Sequence, residues 1–400
     1  MALIVQKYGG SSLASAEYIK KVAAHIGKLK SEDNDVVVVV SAMGKTTDEL
    51  LQLANEVCAD PDKRELDMLL SVGERISISL LALALQDLGY RAKSFTGSQV
   101  GIITDNHHTR ARILEIRADR LIHELQQGKI VIIAGFQGVS LDKEITTLGR
   151  GGSDTTAVAI GAALKADRVE LMKDVDGVLK ADPGIVDSPE IVSQITYREM
   201  EEMASLDAGV VKSESVELAK YYGIKVGIGS SLSGNIGTIV CDEPFAPDQI
   251  KAITLEKDLI FVEIDSNDAQ QTATILSANY IKLKNFRQQD EITTFDIHRN
   301  HFEEFKSFWN KATREKIKTE ENFAVISFVG NGIKPGTKAT AIIFQMLKKM
   351  NIKYRRSIVT ENRISISVPE KEAESMIREF YDWLYEQPVK ITPNEATKNA

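Results

Sequence analysis

Cysteine is nearly missing from this sequence, with Cys58 and Cys241 the only two in 400 residues. They stand far apart, with no His or Cys at metal-ligand spacing, which excludes a disulfide-stapled scaffold and leaves both as structural residues with no metal site. No window approaches the roughly 18 apolar residues of a bilayer-crossing helix. The opening Met1-Ala2-Leu3-Ile4-Val5 is too short, and lacks the cationic flank, for a secretory signal. A cytoplasmic protein without a membrane partner is expected. Basic runs are missing too, and a formal net charge of −8 argues against a nucleic-acid partner held through its phosphates. What is present is ordinary for a folded chain, 43% hydrophobic and 26% charged, without low-complexity tracts. Its length exceeds the roughly 100–200 residues of one core and predicts two or three domains.

From the start to about Cys241, short β-branched runs alternate with helical stretches, the mark of a mostly parallel sheet sandwiched by helices, an α/β fold. The strand candidates are Leu3–Lys7, Val36–Val40, Ile130–Ala134, Val169–Met172 and Lys225–Ile228, and their unbroken apolar character predicts burial on both faces. Ligands of such sheets bind beyond the carboxyl ends of the strands, where nearly every one of these runs enters a Gly- or Ser-rich turn. After Asp242-Glu243-Pro244 the rhythm changes to a βαββα pattern that occurs twice. The first copy takes Leu259–Ile264, a helix Asn267–Ala278, strands near Ile281–Phe286 and Ile292–Ile297, and a helix from about His301 to Ala312. The second takes Ala324–Val329, Thr337–Met350, Tyr354–Thr360, Arg363–Val368 and Lys371–Tyr385. The expected boundaries are 1–244, 251–318 and 322–390. A small-molecule sensor and a plain dimerisation module both fit the paired units.

Gly149-Arg150-Gly151-Gly152-Ser153-Asp154 precedes an Ala-rich helical run, Ala157–Ala166. Glycines let amides approach an anion, Ser153 is placed to cap the helix, and the helix start adds positive potential. Arg150 offers a fork for a carboxylate, and Asp154 a partner for a cation or a neighbouring lysine. A second turn, Tyr8-Gly9-Gly10-Ser11-Ser12, follows a strand ending in Lys7, whose ammonium at a buried strand end calls for an anionic partner. A third, Ser41–Thr47, ends like a P-loop but carries Val39 where that motif starts with glycine. No G-x-G-x-x-G follows the first strand, which removes the simplest dehydrogenase reading. Lys173-Asp174-Val175-Asp176-Gly177-Val178-Leu179-Lys180-Ala181-Asp182-Pro183 brings acids and lysines to the same sheet edge, either to serve a metal–nucleotide or as a solvated turn. His107-His108 read as part of a polar surface loop.

In this order the segments resemble the aspartate kinases of the amino acid kinase family: KYGGSS at 7–12, VVSAMGKTT at 39–47, GER at 73–75, GRGGSD at 149–154 and KDVDG at 173–177. The resemblance spans about residues 1–240, and the two βαββα units resemble the paired ACT domains of such enzymes. It implies transfer of a phosphoryl group from ATP, with Mg²⁺, to L-aspartate, the first step toward lysine, threonine and methionine. It makes Lys7 and Asp154 catalytic. It places Ser41, Thr47, Glu74, Arg150 and Ser153 at the amino acid. Gly9, Gly10, Ser11, Gly151, Gly152, Lys173, Asp174, Leu179, Lys180, Asp182 and Lys212, with Lys7, fall to the nucleotide. A homodimer or higher homo-oligomer and a lysine or threonine effector at the ACT units are also implied.

The departures fall on the nucleotide side. Lys173 and Leu179 replace the common threonine and tyrosine, Gly184 replaces arginine, and Gly209-Val210-Val211-Lys212-Ser213-Glu214 stands where the family has KVLHPR. Lys212 or Lys180 is expected to compensate for the lost lysine. The second ACT unit keeps its loop, Val329–Gly332 with Pro335-Gly336, whereas the first has Asp265-Ser266-Asn267-Asp268 where effector-binding members show Pro-Gly. A pair that only dimerises is therefore one outcome. Glutamate or N-acetylated-acid kinases, and a silent amino-acid-binding paralogue, are the alternatives.

Overall fold

A computed structural model describes residues 2–149, 151–206, 211–242, 249–278, 281, 283–309 and 317–386. The chain forms two compact units, 1–178 with 191–245, and 179–190 with 246–400.

In the first unit the elements are β1 (Leu3–Tyr8), α1 (Ala16–Ser31), β2 (Asp35–Val40), α2 (Thr46–Val57), α3 (Lys63–Leu70), α4 (Val72–Asp87), β3 (Ala92–Phe95), β4 (Ile102–Thr104), β5 (Ile113–Ile116) and α5 (Asp119–Gln126). They continue with β6 (Ile130–Ala134), β7 (Gln137–Ser140), β8 (Ile145–Thr147), α6 (Gly152–Leu164), β9 (Arg168–Lys173), β10 (Gln194–Thr196), α7 (Tyr197–Ser205), α8 (Ser213–Tyr222), β11 (Val226–Ser230) and β12 (Ile236–Cys241). Eight strands make one sheet in the order β10-β12-β11-β9-β1-β2-β6-β3, and β5-β4-β7-β8 make a smaller second one. In the large sheet the pairs are parallel except β11 with β12.

The valine run explains the layering, because all five side chains are fully buried and successive ones must face opposite sides. Val36, Val38 and Val40 join Ile19, Val22 and Ile26 of α1 and Ile78, Leu81 and Leu85 of α4 in one core. Val37 and Val39 are left to the other face, where α6 packs over β1, β2 and β9. Gly161 makes that approach possible, since a Cβ there would lie 2.5 Å from Val169. Ser15 starts α1 by accepting the Tyr18 amide, and Asp62 starts α3 by accepting those of Arg64 and Glu65. Contrary to the sequence reading, one stretch among the described residues, Lys63–Asp87, is long and apolar enough to cross a bilayer. Half of its most apolar window is buried within the protein, as expected of core helices. Cys58 also departs from expectation: it is exposed at the end of α2, a helix with no buried residue, while Cys241 is buried.

The second unit holds β13 (Gln249–Asp265), α9 (Ala269–Ala278), β14 (Lys284–Gln289), β15 (Ile292–His298), α10 (Arg299–Ser307), β16 (Lys318–Asn331), α11 (Lys338–Lys349), β17 (Arg356–Val359), β18 (Arg363–Pro369) and α12 (Glu370–Tyr381). The sheet order is β14-β15-β13-β16-β18-β17. Its two long strands each serve both repeats. Leu259–Asp265 of β13 pairs with β15, whereas Gln249–Glu256 pairs with the far half of β16. The near half of β16, Lys318–Phe323, runs beside Leu259–Glu263. Each βαββα repeat is thus completed by a fourth strand from outside its own run. The cores follow the same division: Ile260, Val262, Phe295 and Phe305 cluster in the first repeat, and Ile253 joins Ile326, Phe328, Ile343 and Phe380 in the second. Register shifts around Glu256–Leu259, with Asp258 at φ 54°, bend the long strands. Asp296 of β15 and Arg356 of β17, four strands apart in the order, meet at 3.1 Å, so the sheet curls over itself.

Candidate active site

Tyr8 points into the core beneath α1 and α4, so the strand period turns the preceding Lys7 to the opposite face, toward the start of α6. Its ammonium lies 2.6 Å from Asp154 Oδ1, in the first turn of that helix. Lys173, the last residue of β9, reaches the other oxygen, Oδ2, at 2.7 Å. Asp154 is only 3% exposed. Burial opposes its ionisation, but the two lysines outweigh that and hold the carboxyl below the usual range. Burial, helped by Lys7, pushes Lys173 below the normal lysine range. Two cations share one anion, which leaves the cluster with positive charge to spare for an incoming phosphate.

Two glycine turns flank these lysines. A Cβ on Gly10 would stand 2.8 Å from both the Ala42 and Gly44 carbonyl oxygens, so only glycine lets the turn after β1 lie against the turn after β2. The Gly44 amide donates to Gly10 O at 2.9 Å and ties the two together. In the other turn Gly149 and Gly151 adopt φ of 76° and 80°, a region glycine enters freely. Lys212, at the start of α8, runs its aliphatic stem across Gly151, its Cγ 2.1 Å from where a Cβ would be. Ser153 does not cap α6. The helix begins at Gly152 with Gly151 in the cap position, so Ser153 falls inside the first turn and packs over Gly135.

Glu74 occupies the first turn of α4 and is buried. Its Oε1 accepts the Ala42 amide at 3.0 Å, and its buried Oε2 has no hydrogen-bond partner among the described residues. Burial, partly offset by backbone amides, raises its carboxyl to about 7. Ser41 directly follows β2, its amide donating to Tyr8 O, and Thr47 lies in the first turn of α2. Ser11 begins a short 3₁₀ turn whose next residue, Ser12, bonds to Ser231 at 2.8 Å. Arg150 and Gly209 lie outside the described residues.

Leu179, Lys180 and Asp182 fall in the second unit, where Lys180 pairs with Glu190 and lies 4.5 Å over the Tyr385 ring. Asp182 accepts the Gly184 amide. Asp174 is exposed just after β9. His108 is not a plain surface residue, because its Nδ1 sits 2.7 Å from Asp67, a fully buried acid that sequence reasoning missed. The signal was present: Asp67 shares a helical face with the buried Leu70 and precedes Glu74 by seven residues. No group of three or more His, Cys, Asp or Glu among the described residues is close enough to hold a metal.

Residues 2–230 match the amino acid kinase family. The aspartokinase of Bacillus sp. (strain MGA3) is 42% identical over 388 residues, covering 93% of this chain and 94% of the relative. In fold, the chain is similar to E. coli aspartokinase III solved with aspartate and ADP, at a TM-score of 0.78 and 22% identity, over 95% of this chain and 99% of that one. The same enzyme solved with lysine and aspartate gives 0.77, over 96% and 99%.

Proposed function

The chain belongs to the amino acid kinase family, among the aspartokinases, and from that premise we propose how its residues carry out the transfer. It is an aspartate kinase, converting ATP and L-aspartate to ADP and 4-phospho-L-aspartate. The observation that carries the residue assignment is the Lys7–Asp154–Lys173 cluster set between two glycine turns at the carboxyl edge of the parallel sheet.

The acceptor, a carboxylate with an ordinary pKa near 3.9, is ionised at neutral pH and needs no general base. One of its oxygens forms a bond to the γ-phosphorus while the bond from that phosphorus to the bridging oxygen of ADP breaks. What the site must supply is alignment and positive charge where the equatorial oxygens gather it. Lys7 and Lys173 supply the charge, and Asp154, bonded to both, fixes them in place. Gly9, Gly10, Ser11 and Gly151 present amides to the phosphates, Gly152, its amide donating to Gly149 O, opens the helix beside them, and Asp174 stands at the rim. Lys212 fits the place of the lysine that Gly209 lacks better than Lys180, which is engaged by Glu190. Mg²⁺ would enter with ATP and offset the charge of its phosphates. Glu74 Oε2 receives the ammonium group of aspartate, with Ser41, Thr47 and Ser153 around the substrate. The pairing of Arg150 with the α-carboxylate rests on the sequence motif. A lysine or threonine effector at the paired repeats, a homo-oligomer and a cytoplasmic location complete the reading.

The test is ADP release with MgATP and L-aspartate, with hydroxylamine present to trap the acyl phosphate. Aspartate-dependent hydroxamate, absent with glutamate and lost in Lys7→Ala and Arg150→Ala, is expected. Full hydroxamate formation by folded Lys7→Ala would overturn the role given to the cluster.

A further inference from the structure

The fully buried Asp67 accepts more hydrogen bonds than its place on a short helix requires. Thr147 Oγ1 donates to its Oδ1 at 2.5 Å, the Thr109 amide reaches both oxygens at 3.0 and 3.1 Å, and His108 Nδ1 lies 2.7 Å from Oδ2. None of these partners is on its own helix. Thr147 is the last residue of β8, so the Gly149–Asp154 turn starts two residues later. Thr109 belongs to the loop that abuts that turn, its carbonyl oxygen 3.3 Å from where a Cβ on Gly149 would be. On the other side, α3 leads through Ser71 into α4 and Glu74, and Gln137 of β7 donates to Ser71 O at 3.0 Å.

We propose that Asp67 is the positioning residue for the amino-acid end of the site, one carboxylate fixing the strand end that enters the arginine-bearing turn against the helix pair that carries Glu74. The inference rests on the assignment of Arg150 and Glu74 to the amino acid. Asp67 touches neither substrate. Its bonds do not reach Lys7, Lys173 or the Gly9–Gly10 turn, and within the Gly149–Asp154 turn they bear on its start, ahead of Gly151 and Gly152 on the phosphate side, so its loss should act mainly on aspartate. A carboxylate suits the spot because three donors converge on it, and an asparagine would turn an NH₂ group toward at least one of them.

Steady-state kinetics of Asp67→Asn, with Thr147→Val as a milder variant that removes a single donor, tests this. In Asp67→Asn the KM for aspartate should rise about tenfold to a hundredfold, the range expected when a binding group is displaced by an ångström or less, with the KM for ATP within about twofold of the parent. Thr147→Val should move the same constant in the same direction by less. A shared loss of affinity for both substrates, or an unchanged aspartate KM in either folded variant, would overturn the proposal. Should Asp67→Asn fail to fold, Thr147→Val decides alone. Glu74→Gln and Arg150→Ala are run alongside. If both leave aspartate KM unaltered, the site assignment falls and this proposal with it; if they raise it and the Asp67 and Thr147 variants do not, only the positioning role is refuted.

Discussion

Aspartate affinity should depend on pH through Glu74. Burial raises this carboxyl from 4.5 to about 7, and its Oε2 has no partner among the described residues, so near neutrality the ligand-free site holds the neutral acid in a substantial fraction of molecules. An ammonium group is attracted by the ionised form alone. Apparent KM for aspartate then scales as one plus the ratio of neutral to ionised Glu74, a factor of about 1.1 at pH 8 and about 11 at pH 6, hence a roughly tenfold rise on acidification. Both carboxylates of aspartate stay ionised over that range. The assay is hydroxamate formation at saturating MgATP, with aspartate varied from pH 6 to 8.5. Glu74→Gln separates this titration from that of the nucleotide phosphates, because it should bind aspartate weakly but with a flat profile. A stability measurement gives an independent check. The folded value lies above the unfolded one, so the contribution is fully present below about 4.5 and is lost as pH rises through 7, amounting to about 3 kcal/mol. Glu74→Gln should therefore melt higher than the parent at pH 8 and not at pH 4. A pH-independent aspartate KM in the parent, or the same tenfold rise in Glu74→Gln, would refute the reasoning.

Asp154→Asn leaves Lys7 and Lys173 facing each other without their anion; kcat should fall about a hundredfold or more and stability by roughly 3–5 kcal/mol, read by turnover and urea melts. Lys212→Met should raise the KM for ATP several-fold while leaving that for aspartate in place, and Gly151→Ala should do the same by driving a methyl into the Lys212 stem. Lys180→Ala should leave ATP affinity unchanged and lower the melting temperature, since Glu190 and the Tyr385 ring both hold its ammonium group. An ATP effect confined to Lys180→Ala would reverse the choice between the two lysines.

The parallel core was legible because Val36–Val40 and Ile130–Ala134 are buried on both faces and write that burial as unbroken apolar runs. Strands with one wet face were not. Ala92–Phe95 has two half-buried polar residues between its ends, and the strands of the small sheet are three or four residues long, too short to establish a period. The near half of β16, Lys-Thr-Glu-Glu-Asn-Phe, has no apolar alternation and becomes a strand through pairing with β13, a partner more than fifty residues away. At the site, the need of Lys7 for an anion followed from a lysine ending a buried strand. That Lys173 shares the same anion did not, because it depends on how β9 lies beside β1. Asp67 escaped notice for the same reason: an acid on an apolar helix face announces a partner but not which one.

The crossed strands of the second unit limit how the protein can be cut and rejoined. Gln249–Glu256 is laid down before the first repeat yet completes the second, and Lys318–Phe323 closes the first only after its last helix. Removing either repeat would strip the other of a strand and bare a hydrogen-bonding edge, an invitation to aggregation. Chimeras that exchange one repeat with a relative should misfold, whereas transfer of residues 249–386 as a block keeps both long strands paired along their length. Recombination between such genes is therefore constrained to breakpoints outside the pair, and the two repeats must be inherited together.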